Sequence, residues 1–394
     1  MKEIRLKKGK ESSLERFHPW IFSGALESTS PALSEGDIVK VLAHDGKVLG
    51  YGDWQIGSIA VRMLAFGECY PDFQHFMNLI NDAWMMRKAL KLKNHLNDTF
   101  RLIHGEGDFL PGLIVDIYGP TAVVQAHSAG MHLRRMDIAR ALVAVQGLGV
   151  ENVFYKSETT LPFKANLNPR DGYIIGEYSG SVAIENGLKF NIDWLKGQKT
   201  GFFIDQRDNR LRLSNYSSGR TVLNMFCYTG GFSVYALKGG AKEVVSVDSS
   251  AKAISLTEEN VRLNFDQTIA TRHQSVTEDA FKYLETLPQG KFDCIVLDPP
   301  AFAKHRDAVP NALRGYQKLN AAAMRKIAPH SFLFTFSCSQ AVSKEQFRLA
   351  VFSAAASVGR RVRILHQLTQ PADHPVNIYH PEGEYLKGLV LYIE

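Results

Sequence analysis

The chain has 394 residues, 45% of them hydrophobic, with 46 Lys and Arg against 40 Asp and Glu, a formal net charge of +6. Two or three globular domains fit this length, and no run of about 18 apolar residues marks a membrane-spanning helix. The four cysteines, Cys69, Cys227, Cys294 and Cys338, form no CxxC pair and no zinc-finger spacing with histidine, which argues against a disulfide scaffold, structural zinc or any other metal site.

The first residues, MKEIRLKKGK, hold five basic side chains and one acidic, and no apolar stretch follows them. That is not a secretory signal, so a cytoplasmic location is expected, with no membrane partner. Residues 1–70 carry nine basic and nine acidic side chains. The basic excess therefore lies downstream, where it permits a polyanionic partner without establishing one.

Short alternating runs at 39–42, 47–51 and 60–64 read as strands, broken by Gly36 and by Asp45-Gly46. So many strands in so little chain predict a small β-barrel over 1–70. A helical stretch follows at 72–94, where Arg87, Lys88, Lys91 and Lys93 read as a solvated face able to touch phosphates. Strands at 113–118, 121–125 and 152–156 with a helix at 136–145 predict a central α+β domain over 71–184. From 185 to 394 strands and helices alternate. The strands fall at 222–226, 243–247, 271–274, 294–298, 332–337, 362–366 and 388–393. Helices fall at 232–238, 251–264, 280–286, 315–327 and 344–358. This pattern predicts an α/β domain with a Rossmann-like parallel sheet, whose ligands bind beyond the carboxyl ends of the strands.

The first of those strands, ending at Phe226, runs into Cys227-Tyr228-Thr229-Gly230-Gly231. Paired glycines at a strand-to-helix turn let a ligand approach the backbone. The next strand ends at Asp248, 17 residues after Gly231, where a carboxylate can accept hydrogen bonds from ribose hydroxyls. The GxGxxG fingerprint of nicotinamide cofactors is absent, as is GxxxxGK[ST]. S-adenosylmethionine (SAM) has no pyrophosphate and needs no third glycine.

The fourth strand ends in Asp298-Pro299-Pro300-Ala301-Phe302. Neither proline has an N–H with which to extend the strand, so the loop is stiff. Enzymes that methylate base amino groups commonly place an aromatic directly after the two prolines, to stack on the base. Ala301 stands there, which argues against that chemistry. The fifth strand ends in Ser337-Cys338-Ser339. Carbon 5 of a pyrimidine is a poor nucleophile until a thiolate adds to carbon 6. Cys338 is the candidate nucleophile and Asp298 the candidate acid near N3 of the base. Cys294, inside a strand, reads as core, and Cys227 has no evident chemical task.

At this point the chain resembles the bacterial ribosomal RNA large-subunit cytosine-5 methyltransferases over essentially its whole length. The resemblance rests on FRLIHGEGDFLPGLIVDIYG at 100–119, KTGFFIDQRDNR at 199–210, NMFCYTGG at 224–231, FDCIVLDPPAF at 292–302, TFSCS at 335–339 and ADHPVNIYHPEGEYLK at 372–387. It implies an N-terminal RNA-binding PUA domain, a central α+β domain and a C-terminal class I methyltransferase domain. It implies RNA, in particular large-subunit rRNA, as substrate and Cys338 as the catalytic cysteine. The SAM contacts it implies are Phe226, Tyr228, Thr229, Gly230, Gly231, Asp248, Asp279 near the adenine, and Asp298. Gln206 and Arg207 would close over the methionine end.

Two departures stand out. A different group of RNA cytosine-5 methyltransferases releases product with a second cysteine just after the two prolines, where this chain has Ala301. Relatives also tend to have glycine where this chain has Phe109. Two other readings stay open: SAM-dependent N-methylation of guanine or adenine, and a non-catalytic RNA-binding factor. His104, His374 and His380 are expected to be structural hydrogen-bonding residues. The sequence leaves a homodimer open.

Overall fold

The computed structural model describes residues 1–27, 33–162, 167–303 and 305–394. Among them, no helix is long and apolar enough to cross a membrane. The chain divides into two compact units. One holds Met1–Gly187, Ile192–Ile204 and Ala372–Gly383; the other holds Leu188–Asn191, Asp205–Pro371 and Glu384–Glu394.

The first unit begins with β1 (Lys2–Arg5), a short helix α1 (Ser12–Glu15), β2 (Trp20–Phe22), β3 (Ile38–Leu42), β4 (Val48–Trp54) and β5 (Ile59–Phe66). Their sheet runs β1-β3-β4-β5-β2. Its two edges meet beyond β1 and β2 through the Leu6–Leu26 bridge, with the Lys7 amide donating to Ala25 O at 2.9 Å. That closure leaves no open edge, the solution expected of a small barrel. β1 and β2 escape the sequence pattern because each is only three or four residues long.

The chain continues through α2 (Phe73–Ala89), β6 (Thr99–His104), β7 (Leu113–Tyr118), β8 (Thr121–Ala126), α3 (Ala129–Leu133), α4 (Arg135–Ala144), β9 (Asn152–Tyr155) and β10 (Gly172–Ile175). The second sheet has the order β10-β9-β8-β7-β6. The border expected near residue 70 separates two sheets without separating two compact units. Leu64 of β5 and Phe76 and Trp84 of α2 share one apolar cluster with Phe100, Val115 and Leu142.

Arg87 corrects the reading of α2 as a solvated basic face. It is fully buried and forms a bidentate pair with Asp108, and it also donates to the Arg101 carbonyl at 2.9 Å and the Asp373 carbonyl at 2.8 Å. Lys88 and Lys91 are exposed.

The chain then passes through two short strands, β11 (Val182–Glu185) and β12 (Leu188–Asn191). The second unit is built from α5 (Arg207–Tyr216), β13 (Thr221–Met225), α6 (Gly231–Lys238), β14 (Glu243–Asp248), α7 (Ala251–Asn264), α8 (Gln267–Ala270) and β15 (His273–Thr277). It continues with α9 (Ala280–Thr286), β16 (Cys294–Leu297), α10 (Val309–Lys326), β17 (Ser331–Ser337), α11 (Lys344–Val358), β18 (Val362–Leu368) and β19 (Lys387–Ile393). The seven-stranded sheet has the order β15-β14-β13-β16-β17-β19-β18.

β13 through β17 are parallel, but β19 runs antiparallel to both β17 and β18. This corrects the expectation of a wholly parallel sheet. Parallel neighbours need a crossover, usually helical. No α-helix joins β18 to β19; the chain leaves the unit over 372–383 and re-enters. The strand order reverses between β13 and β16, which makes their carboxyl ends the expected ligand crevice.

Candidate active site

Strand register alone gathers most of the expected residues. Met225 pairs with Val247 on one side and Leu297 on the other, and Leu297 pairs with Thr335. The next residue on each strand is therefore Asp248, Phe226, Asp298 or Phe336, in one row along the carboxyl edge. Cys338 lies two residues beyond Phe336. Asp279 follows β15 at the same edge and caps α9, accepting from the amides of Phe281 at 3.0 Å and Lys282 at 3.1 Å.

The loop after β13 is under backbone constraint. Phe226 (φ 58°), Tyr228 (φ 48°) and Gly230 (φ 77°) all lie in the left-handed region, which costs a non-glycine residue roughly 1–2 kcal/mol. Such strain persists only where surroundings over-determine it, and α7 and β14 do so here. Thr257 Oγ1 donates to the Tyr228 carbonyl at 2.9 Å, and Asn260 Nδ2 donates to the Thr229 carbonyl at 2.9 Å. Asp248 accepts from the Tyr228 amide and from the Ser250 amide, each at 3.0 Å. A Cβ on Gly230 would come within 2.5 Å of Thr257 Cγ2, so glycine there is required twice, by φ and by space.

These residues fit SAM. The Asp248 carboxylate has about four acceptor positions, and two backbone amides use two of them; the others suit the vicinal hydroxyls of a ribose. Asp298 is held by Gln206, whose Nε2 donates to Asp298 Oδ1 at 3.0 Å. Asn209 fixes Gln206 in turn, Nδ2 to Oε1 at 2.7 Å. Arg207, beside Gln206, is buried with Nε 3.5 Å from Asp208 Oδ1.

The cysteines separate by environment. Burial pushes the Cys227 thiol up to about 12, and Cys294 likewise to about 12. Both are the inert kind of cysteine. Cys69 is exposed, in the other unit. Cys338 is half-buried at the carboxyl edge, its Sγ 4.0 Å from the Pro299 carbonyl oxygen. Its neighbours Ser337 and Ser339 are fully buried, and both hydroxyls meet Tyr316 Oη at 2.9 Å. Ser339 Oγ also accepts from the Ala303 amide at 3.2 Å. The turn that carries the thiol is thus pinned to α10 and to the loop after the two prolines.

Sequence reasoning missed Thr257, Asn260, Asn209, Tyr316 and Lys387. The first three are polar residues on helical faces, and nothing local tells a loop clamp from a solvated position. Lys387 did carry a signal: it opens the apolar strand KGLVLYI, where a lysine is out of place unless buried with partners.

Of the three flagged histidines, His104 lies 3.2 Å from Arg101 Nη1 and His374 Nδ1 lies 3.1 Å from Asp373 Oδ1. His380 departs from expectation, since neither ring nitrogen has a hydrogen-bond partner among the described residues. It gathers with His18 and Glu382 in the first unit. Burial pushes the His380 pKa down, with Glu106 and Glu382 opposing and His18 and Arg62 adding to the shift.

By its strand order and its cofactor loop the second unit is a class I methyltransferase domain, and its methyl donor is SAM. The family model described as S-adenosylmethionine-dependent methyltransferase matches residues 172–368, and a PUA-like domain model matches residues 4–66. Curated relatives named Ribosomal RNA large subunit methyltransferase I include one from Aeromonas hydrophila, 42% identical over 98% of both chains. Another, from Salmonella arizonae, is 38% identical over 97% of this chain and 95% of its own. The chain belongs to this ribosomal RNA large subunit methyltransferase I family. Among solved structures, a Streptococcus mutans chain described as a SAM-dependent methyltransferase superposes with a TM-score of 0.83 at 22% identity, covering all of both chains. A methyltransferase structure complexed with SAH gives 0.85 at 23%, also over both whole chains. At that identity these two support the fold.

Proposed function

We propose that the protein transfers the methyl group of SAM to carbon 5 of a cytosine in large-subunit rRNA, with Cys338 as nucleophile. The observation that carries this is the placement of Cys338. It is the one cysteine of the methyltransferase unit that is only half-buried, and it lies at the carboxyl edge with Asp298. The names of the family's curated relatives support rRNA as substrate, and the PUA-like barrel supports RNA binding.

In this reading Phe226, Tyr228, Thr229, Gly230, Gly231, Asp248 and Asp279 hold the nucleoside part of SAM. Gln206, Arg207 and Asp298 lie toward its methionine part. SAM supplies an electrophilic methyl group. The Cys338 thiolate forms a bond to carbon 6 of the cytosine while Asp298, in its protonated form, donates its proton to N3; that proton returns to Asp298 when the ring is restored. Carbon 5 then carries the electron pair that takes the methyl group. Loss of the carbon 5 proton expels the thiolate and restores the ring. Ala301, directly after the two prolines, supplies no ring to stack on a base as amino-group methylation commonly requires.

The test incubates the protein and its Cys338→Ala variant with radiolabelled SAM and unmodified large-subunit rRNA, followed by nucleoside analysis. Labelled 5-methylcytidine from the wild type alone is expected. A labelled purine, undiminished in the variant, would overturn the cysteine mechanism in favour of N-methylation. SAM binding with no label in any RNA would overturn the rRNA assignment.

A further inference from the structure

A thiol with an ordinary pKa of about 8.5 is only a few per cent thiolate at neutral pH. The proposed nucleophile therefore needs something that favours its charged form. Tyr316, the acid facing it from α10, would disfavour a thiolate if ionised.

Lys387 supplies what is needed. It pairs with Ser337 across β17 and β19, so the last rungs of the antiparallel ladder bring it beside the turn that carries Cys338. Its side chain is buried, with 5% of the residue exposed. Nζ donates to the Ser339 carbonyl at 2.6 Å and to the Val342 carbonyl at 2.8 Å. Two carbonyls of the turn after the cysteine thus fix the ammonium next to it. The geometry is costly without a purpose. Burying an ammonium costs free energy that two neutral carbonyls offset only in part, whereas a methionine would fill the same space at the start of an apolar strand.

We infer that the Lys387 ammonium is the cation that holds Cys338 as a thiolate, which makes Lys387 a positioning residue for the nucleophile. The inference rests on the cysteine reading above. Lys387 carries its charge here against desolvation, which brings its pKa down to about 8; of the groups that raise it again, the Cys338 thiolate is the largest, ahead of Glu384, while Lys344 lowers it. Linkage is reciprocal: a thiolate that favours the ammonium is favoured by it to the same degree. The proton leaves Cys338 for solvent as the thiolate forms, which takes the pair from a net charge of +1 to neutral. Above pH of about 8 the lysine loses its charge and the effect fades.

The experiment follows iodoacetamide alkylation of Cys338 against pH on the full chain, with mass spectrometry separating it from Cys69, Cys227 and Cys294. The wild type is expected to show a midpoint at least one unit below the ordinary thiol value. Lys387→Gln keeps a hydrogen-bond donor but removes the charge. It should raise the midpoint by about one unit and slow alkylation at pH 7 about tenfold, with SAM affinity unchanged. Lys387→Arg should restore most of the reactivity. A wild-type midpoint at or above the ordinary value overturns the inference with no variant needed. An unshifted midpoint in a Lys387→Gln variant that still binds SAM does the same. Alkylation needs no RNA, so a charge-dependent thiolate with a methylated purine as product would leave the pair standing and remove the cytosine reading instead.

Discussion

Replacing Gly230 by alanine tests whether the loop after β13 is the cofactor cradle. The new Cβ would sit 2.5 Å from Thr257 Cγ2 and 3.0 Å from both Cβ and Oγ1 of the same residue. Thr257 cannot move aside. It is fully buried on α7, its β-branched side chain has few rotamers, and its hydroxyl holds the Tyr228 carbonyl. The backbone at φ 77° adds about 1–2 kcal/mol for any residue with a Cβ. Losing the Thr257–Tyr228 hydrogen bond adds about 1 kcal/mol. The sum, about 2–3 kcal/mol, falls on the shape of the loop. Titration calorimetry should therefore show SAM binding weakened by roughly 30- to 150-fold, since about 1.4 kcal/mol is tenfold. Adding Thr257→Ser keeps the hydroxyl and removes the clashing methyl, so the double variant should recover the hydrogen-bond share, about fivefold in affinity. Gly230→Ala binding SAM within threefold of the wild type would show that this loop does not hold the cofactor. Equal loss in single and double variants would show that Thr257 is not the clamp.

Three further outcomes follow from particular residues. Phe109 is half-exposed at φ 59°, so Phe109→Gly relieves left-handed strain and should raise stability by roughly 1 kcal/mol in urea unfolding; a fall would mean that its ring makes a needed contact. His273 is half-buried with Nε2 2.8 Å from Ser246 Oγ, and desolvation lowers its pKa to about 4. Between pH 6.5 and 4 the unfolded chain takes up a proton that the folded chain refuses, so stability falls with falling pH, by about 2 kcal/mol at pH 5. Urea midpoints of His273→Gln should depend less on pH over that window than those of the wild type, and equal slopes would reject this. Arg87→Met leaves Asp108 charged and buried and should cost about 3–5 kcal/mol of stability, whereas exposed Lys91→Gln should leave stability alone. If Lys91 touches phosphate, its loss lowers the slope of log affinity for RNA against log salt by about 0.7–0.9.

The parts of this protein legible in its sequence are those where a local rule and the global fold agree. The helices at 251–264, 280–286 and 344–358 have the bounds that their sequence predicts, because Ser250, Asp279 and Ser343 cap them with side chains and an apolar face follows each cap. Gly230, Asp248 and Asp298 were legible because strand ends are punctuated by residues that cannot continue a strand. What stayed hidden depends on pairing between distant segments. The direction of β19 is set by the excursion over 372–383, and its residues read the same either way. α5 was missed because its buried face is polar: Arg207, Asn209 and Arg210 are all buried, and a helix that hides charges shows no apolar period.

The same logic explains why the proposed nucleophile could be named from sequence while its surroundings could not. Cys338 lies just beyond a central parallel strand between two serines, and those serines face Tyr316 rather than the crevice. Lys387 lies 49 residues further on, in a strand whose antiparallel register is what turns its first residue toward the turn of Cys338. A one-residue slip of β19 would carry that ammonium to the opposite face of the sheet. The register of β17 against β19 therefore bears directly on reactivity. A variant that shifts it should lose alkylation of Cys338 at pH 7 while the loop after β13, four strands of the sheet order away from β18, still binds SAM.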